Sequence, residues 1–321
     1  PSSLNSSDAY WLQDVLVLCK KPYVINNIPC PCGRCMPCRI NHKRLWTHRL
    51  MLEAHKHSDA TFVTLTYDSE HLPVDASLDP EHVRLWLMRF RKALIEYSDR
   101  QGIPPIRIRY YLVGEYGDET QRPHYHAAIF GVGPEFEEIV TQTWGKGHCM
   151  CAEFNLHTAQ YICGYVTKKM TVKDDPRLNG RYPEFARMSR RPGIGALAIH
   201  DIAEALKSSG YTRERNQDVP RSLRHGGRTF PLGRYLQNKL RISLDFFYVD
   251  GETGEIKYDT PRENLSQYRK ELLDMLKDTI NDPSANKEAK TSIKNMLTTK
   301  YQGSVASLEA RSKIFKQRKT L

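Results

Sequence analysis

The stretch Arg122-Pro123-His124-Tyr125-His126-Ala127-Ala128-Ile129-Phe130 limits the possible folds more than any other part of the chain. A β-strand sends successive side chains to opposite faces. His124 and His126 therefore share one face, while Tyr125, Ala127 and Ile129 point to the other, toward a core. Pro123 donates no ladder hydrogen bond and suits a strand start. Residues 106–115 also read as a strand, and the polar turn between the two predicts an antiparallel hairpin. That pairing would carry Glu115, at the end of the earlier strand, beside the histidines. Two imidazoles on a rigid face with a carboxylate nearby suit a divalent metal whose shell is completed by oxygen. His-x-His alone is common and also fits a structural or surface pair.

A second chemistry-bearing stretch follows at Tyr161-Ile162-Cys163-Gly164-Tyr165-Val166-Thr167-Lys168-Lys169. Residues four apart on a helix lie on one face. Tyr161 and Tyr165 can thus address one pocket, and Lys168 joins that face. A phenol, with a free pKa of about 10, is a weak nucleophile near neutrality. A metal that polarises a phosphate, or a lysine that stabilises phenolate or phosphate charge, would compensate. The alternative is a pair of core or interface tyrosines. Gly164 lowers helix propensity and leaves room for close approach of DNA or another backbone.

The charge balance narrows the partner. The 321 residues carry 48 Lys and Arg against 37 Asp and Glu, a formal net charge of +11, which favours a polyanion such as nucleic acid. No apolar run is long enough for a membrane helix, and the N-terminal residues show no basic region followed by an apolar core. The expected location is the cell that makes the protein. No G-x-x-x-x-G-K-[ST] loop is present, so no ATP-driven helicase is expected.

Along the chain, residues 1–29 read as loop and short strand. A basic helix is predicted over 39–57, with Arg39, Lys43, Arg44 and Arg49 opposite a stripe of Leu45, Trp46 and Leu52. Residues 60–67 are β-branched and aromatic, as strands are. Asp79 and Pro80 mark a helix start, after which Val83, Trp86, Leu87, Phe90, Leu94 and Tyr97 recur at helical spacing. Further elements are expected as a helix near 135–143, a strand near 148–154 and a helix over 157–170. Residues 173–235 are rich in Arg, Gly and Pro and lack clear periodicity. Residues 262–321 return to a charged helical pattern. The expected divisions are 1–58, 59–235 and a mainly helical extension over 236–321.

Taken in order, these segments resemble the three motifs of HUH-superfamily rolling-circle replication initiators. Phe62-Val63-Thr64-Leu65-Thr66-Tyr67 with Pro73 resembles the first motif, Arg122-Pro123-His124-Tyr125-His126 the metal-binding second, and Tyr161-x-x-x-Tyr165-x-x-Lys168 the third. The Cys-rich run from Cys30 and the Gly114-Glu115-Tyr116-Gly117 run look like the gokushovirus type within the Microviridae. The resemblance covers about residues 30–235. It implies an α+β fold with a central antiparallel sheet flanked by helices. It also implies nicking at the origin of double-stranded replicative DNA, a 5′-phosphotyrosine link with a free 3′ hydroxyl, and rejoining into single-stranded circles. Tyr161, Tyr165 and Lys168 would be catalytic, and His124, His126 and Glu115 would hold Mg2+ or Mn2+. With no helicase encoded, a host helicase and a host DNA polymerase are the expected partners, in the cytoplasm of the bacterial host.

Cys30, Cys32, Cys35 and Cys38 crowd together in a way that suggests metal rather than disulfides. Structural zinc, reduced free thiols and an iron–sulfur site all remain open. Nine residues are cramped for four tetrahedral ligands, so His148, Cys149 or Cys151 could supply some of them. Candidate DNA contacts are Arg39, Lys43, Arg44, Arg107, Arg109, Arg122 and Lys169, against a solvated-face alternative for the helix and strand arginines. Two other function classes fit parts of the pattern: a non-enzymatic, zinc-stabilised DNA-binding repressor, and a plasmid initiator, relaxase or transposase using the same chemistry.

Overall fold

The computed structural model describes residues 19, 23–25, 28–117, 119–165, 175–212, 218–225 and 227–258. A short hairpin of β1 (Tyr23–Ile25) and β2 (Ile28–Cys30) precedes α1 (Met36–Ala54). Helix α1 begins ahead of the predicted Arg39 because Pro37, with its fixed φ and missing N–H, fits a first helical turn. The β-branched run forms β3 (Ala60–Thr66). Helix α2 (Pro80–Gln101) starts as predicted: the Asp79 carboxylate accepts the Glu81 N–H at 2.8 Å, and Pro80 opens the helix. Its stop is Gly102, at φ 65°, a conformation that favours glycine.

The predicted hairpin is β4 (Arg109–Tyr116) with β5 (Pro123–Phe130), antiparallel, with Glu115 opposite His124. Then come α3 (Glu137–Trp144), β6 (Cys149–Glu153), α4 (Leu156–Tyr165) and β7 (Phe185–Met188). Strands β6-β3-β5-β4-β7 form one antiparallel sheet in that order. The fold is therefore α+β, with a central sheet flanked by helices.

Period-two alternation divides the sheet cleanly. Val63, Leu65, Leu112, Tyr125, Ala127 and Ile129 point to one face, under Trp86, Phe90 and Leu94 of α2 and Trp144 of α3. Phe62, Tyr111, Val113, Ala128 and Phe130 point to the other, where Leu50 of α1 and Ala159, Ile162 and Cys163 of α4 cover them. The histidines belong to this second face, at the end that the apolar cover leaves bare.

The remainder comprises α5 (Ile199–Ser208), the hairpin β8 (Ser222–His225) and β9 (Arg228–Pro231), α6 (Gly233–Ser243), and the hairpin β10 (Phe247–Val249) and β11 (Ile256–Tyr258). Leu52, on α1, packs with Ala198, Ile199, Ala203, Leu236 and Leu240. This corrects two expected divisions. A cut at residue 58 would strip α1 from both cores it serves, and a cut at 235 falls inside α6. Of the expected helical extension, residues 259–321 lie outside the described residues. No helix among the described residues is long and apolar enough to cross a membrane.

Candidate active site

Register decides which side chains meet. On β3, Thr64 stands opposite His126 and Thr66 opposite His124; on β4, Glu115 stands opposite His124. The His126 Nε2 lies 3.1 Å from the Glu115 Oε1, and both residues are buried, at 6% and 4% exposure. The other ring nitrogen, Nδ1, is 3.1 Å from the Thr64 Oγ1. The Phe62 ring stacks on His126, with centroids 5.6 Å apart and planes 11° from parallel. His126 is thus held from three sides, and its Nε2 is aimed at the carboxylate.

This donor set fits a divalent cation. An imidazole binds metal through one nitrogen while the other is fixed by a hydrogen bond, which sets the tautomer. Here the Nδ1–H would donate to the Thr64 hydroxyl, leaving the Nε2 lone pair for an ion shared with Glu115. His124 is half-buried on the same face. Gly117 lies against it: a Cβ there would sit 3.0 Å from the His124 Nε2.

The tyrosine helix crosses above this face. The Tyr161 ring packs edge-on to both His126, with centroids 5.5 Å apart, and Phe62, at 5.8 Å. Tyr161 is 38% exposed, so its ring bridges the buried imidazole and solvent. Ile162 and Cys163 take the buried side of α4. Burial pushes the Cys163 thiol up to about 12, which leaves it a poor nucleophile. Lys43, on α1, reaches α4, with its Nζ 3.5 Å from where a Cβ on Gly164 would stand. The space left by this glycine thus faces a lysine side chain. Tyr165 closes α4, but its side chain, and all of Lys168 and Lys169, lie outside the described residues.

Several predicted DNA contacts are engaged elsewhere. Arg109 is a correction. Its guanidinium pairs with Glu53, whose side chain is fully buried, and donates to the Pro192 carbonyl at 2.7 Å. Glu53 also accepts the Gly195 N–H at 2.6 Å. Burial works to raise the Glu53 carboxyl, but hydrogen bonds from His57, Arg109 and Gly195 outweigh it and hold the group below the ordinary carboxylate range. Arg107 is exposed and precedes β4, about 20 Å of strand away from the histidines at roughly 3.4 Å per residue. Arg122 donates to the Tyr67 carbonyl at 3.0 Å and fixes the entry to β5. Arg44 donates to the Thr229 carbonyl at 2.9 Å and remains accessible. Arg39 and Lys43 lie half-buried on α1.

Sequence reasoning missed Thr64 and Phe62 as supports of His126. The alternation of Phe62, Thr64 and Thr66 was visible, but their partners depend on a strand pairing across some sixty residues.

The thiol cluster also differs from expectation. Cys19, Cys32, Cys35 and Cys38 bring their Sγ atoms within 4.8 Å of one another. Cys19 takes the place predicted for Cys30, which ends β2 and whose side chain lies outside the described residues. Cys149 and Cys151 sit in β6 and pack with the α2 side of the sheet, where burial pushes their thiols up to about 11 and 12. His148 is exposed at the start of that strand. None of the three joins the cluster.

A metal-capable histidine pair on an antiparallel sheet, with a tyrosine helix lying over it, is the architecture of the HUH class of replication initiators. Residues 60–170, from β3 through α4, match the family of the replication-associated protein ORF2. The chain is 31% identical over 247 residues to the replication-associated protein ORF2 of Spiroplasma virus 4, covering 72% of this chain and 73% of that one. It is 27% identical to the replication-associated protein VP4 of Bdellovibrio phage phiMH2K, covering 78% and 79%, and 28% identical to the replication-associated protein ORF4 of Chlamydia phage 1, covering 74% and 59%. Among solved structures, the N-terminal nuclease domain of minute virus of mice non-structural protein 1 is 10% identical, covering 50% of this chain and 83% of that one with a TM-score of 0.20, too distant to carry weight. The chain belongs to the replication-associated protein family of the Microviridae.

Proposed function

We propose that the chain starts rolling-circle replication by cutting one DNA strand at the phage origin with a tyrosine and later rejoining it. The observation that carries this reading is the edge-on packing of Tyr161 against His126, itself bonded to Glu115. A phosphate entering that gap would meet a phenol on one side and a metal-binding set on the other. His124, His126 and Glu115 would hold Mg2+ or Mn2+, which when bound polarises the scissile phosphate and offsets charge in the transition state. In the cut, the bond from the tyrosine oxygen to phosphorus forms as the bond from phosphorus to the 3′ oxygen breaks. The phenol loses its proton to solvent or a nearby base, and the departing 3′ oxygen gains one. The 5′ end stays on the protein as a phosphotyrosine ester. Tyr161 and Tyr165 would alternate, one holding the 5′ end while the other attacks the regenerated origin, and the freed 3′ hydroxyl closes the circle. Lys168 would stabilise phenolate or phosphate charge.

The substrate must be unpaired at the cut, so the expected partners are single-stranded DNA, the origin of replicative-form DNA, and a host helicase and DNA polymerase in the bacterial cytoplasm. Arg39, Lys43, Arg44 and Lys169 remain the candidate phosphate contacts. A structural Zn2+ at the thiol cluster completes the reading.

The test is incubation with 3′-labelled single-stranded origin DNA and Mn2+, followed by a denaturing gel. Label should shift to the protein. His124→Ala with His126→Ala should abolish the shift while leaving most phosphate-driven binding. Tight binding with no adduct under any metal condition would support the repressor reading instead.

A further inference from the structure

We infer that Cys19, Cys32, Cys35 and Cys38 form a tetrathiolate Zn2+ site in which Cys19, not Cys30, is the fourth ligand, and that this ion fastens the segment before β1 to the first turn of α1. The inference rests on the zinc part of the proposed function and is independent of the nicking chemistry.

The spacing of the sulfurs is the first argument. Four thiolates about 2.3 Å from a tetrahedral Zn2+ stand about 3.8 Å from one another. The Sγ separations here are 3.4 Å for Cys35 and Cys38, 3.7 Å for Cys19 and Cys35, and 4.0 Å for Cys32 and Cys38. A disulfide would need about 2.05 Å, and the described cysteines form none.

The backbone is arranged for thiolates as well. Gly33 is left-handed at φ 72°, so the chain turns back after Cys32 and the Cys35 N–H reaches the Cys32 Sγ at 3.4 Å. The Cys32 N–H reaches the Cys19 Sγ at 3.2 Å. Such N–H groups stabilise charge on a metal-bound sulfur. Cys35 is the N-cap of α1 but makes no side-chain cap bond, and the first turn holds no acidic residue. Four thiolates around one divalent ion carry two net negative charges. At this helix end they would meet the positive end of the dipole and supply the missing anion.

The order of ligands along the chain follows from the hairpin. Twelve residues separate Cys19 from Cys32, and β1 and β2 lie between them. The excursion of the hairpin lets a distant cysteine return to the cluster, which relieves the crowding of four ligands in one nine-residue run. The anchored helix then carries Lys43 and Leu50 to α4, so the site braces the helix that bears Tyr161.

The test uses the full chain purified without chelator. Metal analysis should find about one zinc per chain and no iron. Cys30→Ser should keep it, whereas Cys19→Ser should release zinc to a colorimetric chelator at least tenfold faster. In the Co2+ form, the thiolate charge-transfer absorption should fall by about a quarter in Cys19→Ser and stay unchanged in Cys30→Ser. Should Cys19→Ser fail to fold, Cys19→His restores a ligand type that Zn2+ accepts, and its Co2+ spectrum should report three thiolates. Iron in place of zinc, no metal in the wild type, or loss of metal from Cys30→Ser with retention by Cys19→Ser would overturn the inference. Adduct formation by a metal-free cluster would sink the zinc site alone and leave origin nicking standing. A zinc-loaded chain that never forms an adduct would do the reverse.

Discussion

Thr64→Val isolates the support of the metal-binding histidine. The hydroxyl lies 3.1 Å from the His126 Nδ1 and is the polar group that fixes the ring tautomer. Valine keeps the branched shape that β3 favours and removes only that partner. Removing such an orienting group typically weakens metal binding by about 10–100-fold, or roughly 1.4–2.7 kcal/mol. The Phe62 stack and the Glu115 contact remain, so the ring should stay near its place and the loss should fall toward the lower half of that range. The readout is the Mn2+ concentration for half-maximal adduct formation. It should rise by an order of magnitude or more, with the rate at saturating Mn2+ changed only a few-fold. Thr66→Val is the control: Thr66 donates to the His148 carbonyl at 3.1 Å and should leave the midpoint unchanged. An unaltered midpoint in Thr64→Val, or a rate loss that excess metal does not rescue, would refute the assigned role.

Arg109→Ala should cost about 3–5 kcal/mol by leaving the buried Glu53 without its cation, lowering Tm by roughly 6–20 °C; DNA affinity measured well below that Tm should not change, and a fall in affinity with an unchanged Tm would restore Arg109 as a DNA contact. Because the Glu53 carboxyl is held below its ordinary value in the fold, the unfolded chain takes up the proton first. The stabilisation is present above about pH 4–5 and is lost as pH falls through the lower folded value, so acid denaturation should be shallower in Glu53→Gln, as read by circular dichroism. Gly117→Ala places a methyl 3.0 Å from the His124 Nε2 and should weaken Mn2+ binding several-fold without altering the circular dichroism spectrum; an unchanged affinity would count against His124 as a ligand. Gly164→Ala makes only an ordinary contact with Lys43 and should stabilise α4 by about 0.5–1 kcal/mol, a gain that a lower Tm would contradict.

Local pattern carried much of this molecule. The alternation around His124 and His126, with Pro123 at the strand start, specified both the face and the hairpin that delivers Glu115. Asp79, Pro80 and the helical recurrence from Val83 to Leu94 did the same for α2. Contacts between distant segments were beyond its reach. Arg109 reads as a surface cation until Glu53, fifty-six residues earlier, is seen beside it. Thr64 and His126 meet only through the pairing of β3 with β5. Cys30 reads as the fourth thiol because nearness in sequence stands in for nearness in space, and the intervening hairpin breaks that equivalence in favour of Cys19. Residues 185–188 form the edge strand of the sheet, yet four residues in an Arg- and Pro-rich setting are too few to show a period.

The convergence of phenol and imidazole on one phosphate is tested most directly by locating the covalent bond. The chain is allowed to react with single-stranded origin DNA and Mn2+, digested with nuclease and protease, and mapped by mass spectrometry. The added phosphonucleotide should sit on Tyr161 or Tyr165, move wholly to Tyr165 in Tyr161→Phe, and vanish when both are phenylalanine. A modification on any residue outside α4, or one that survives the double replacement, would contradict the account.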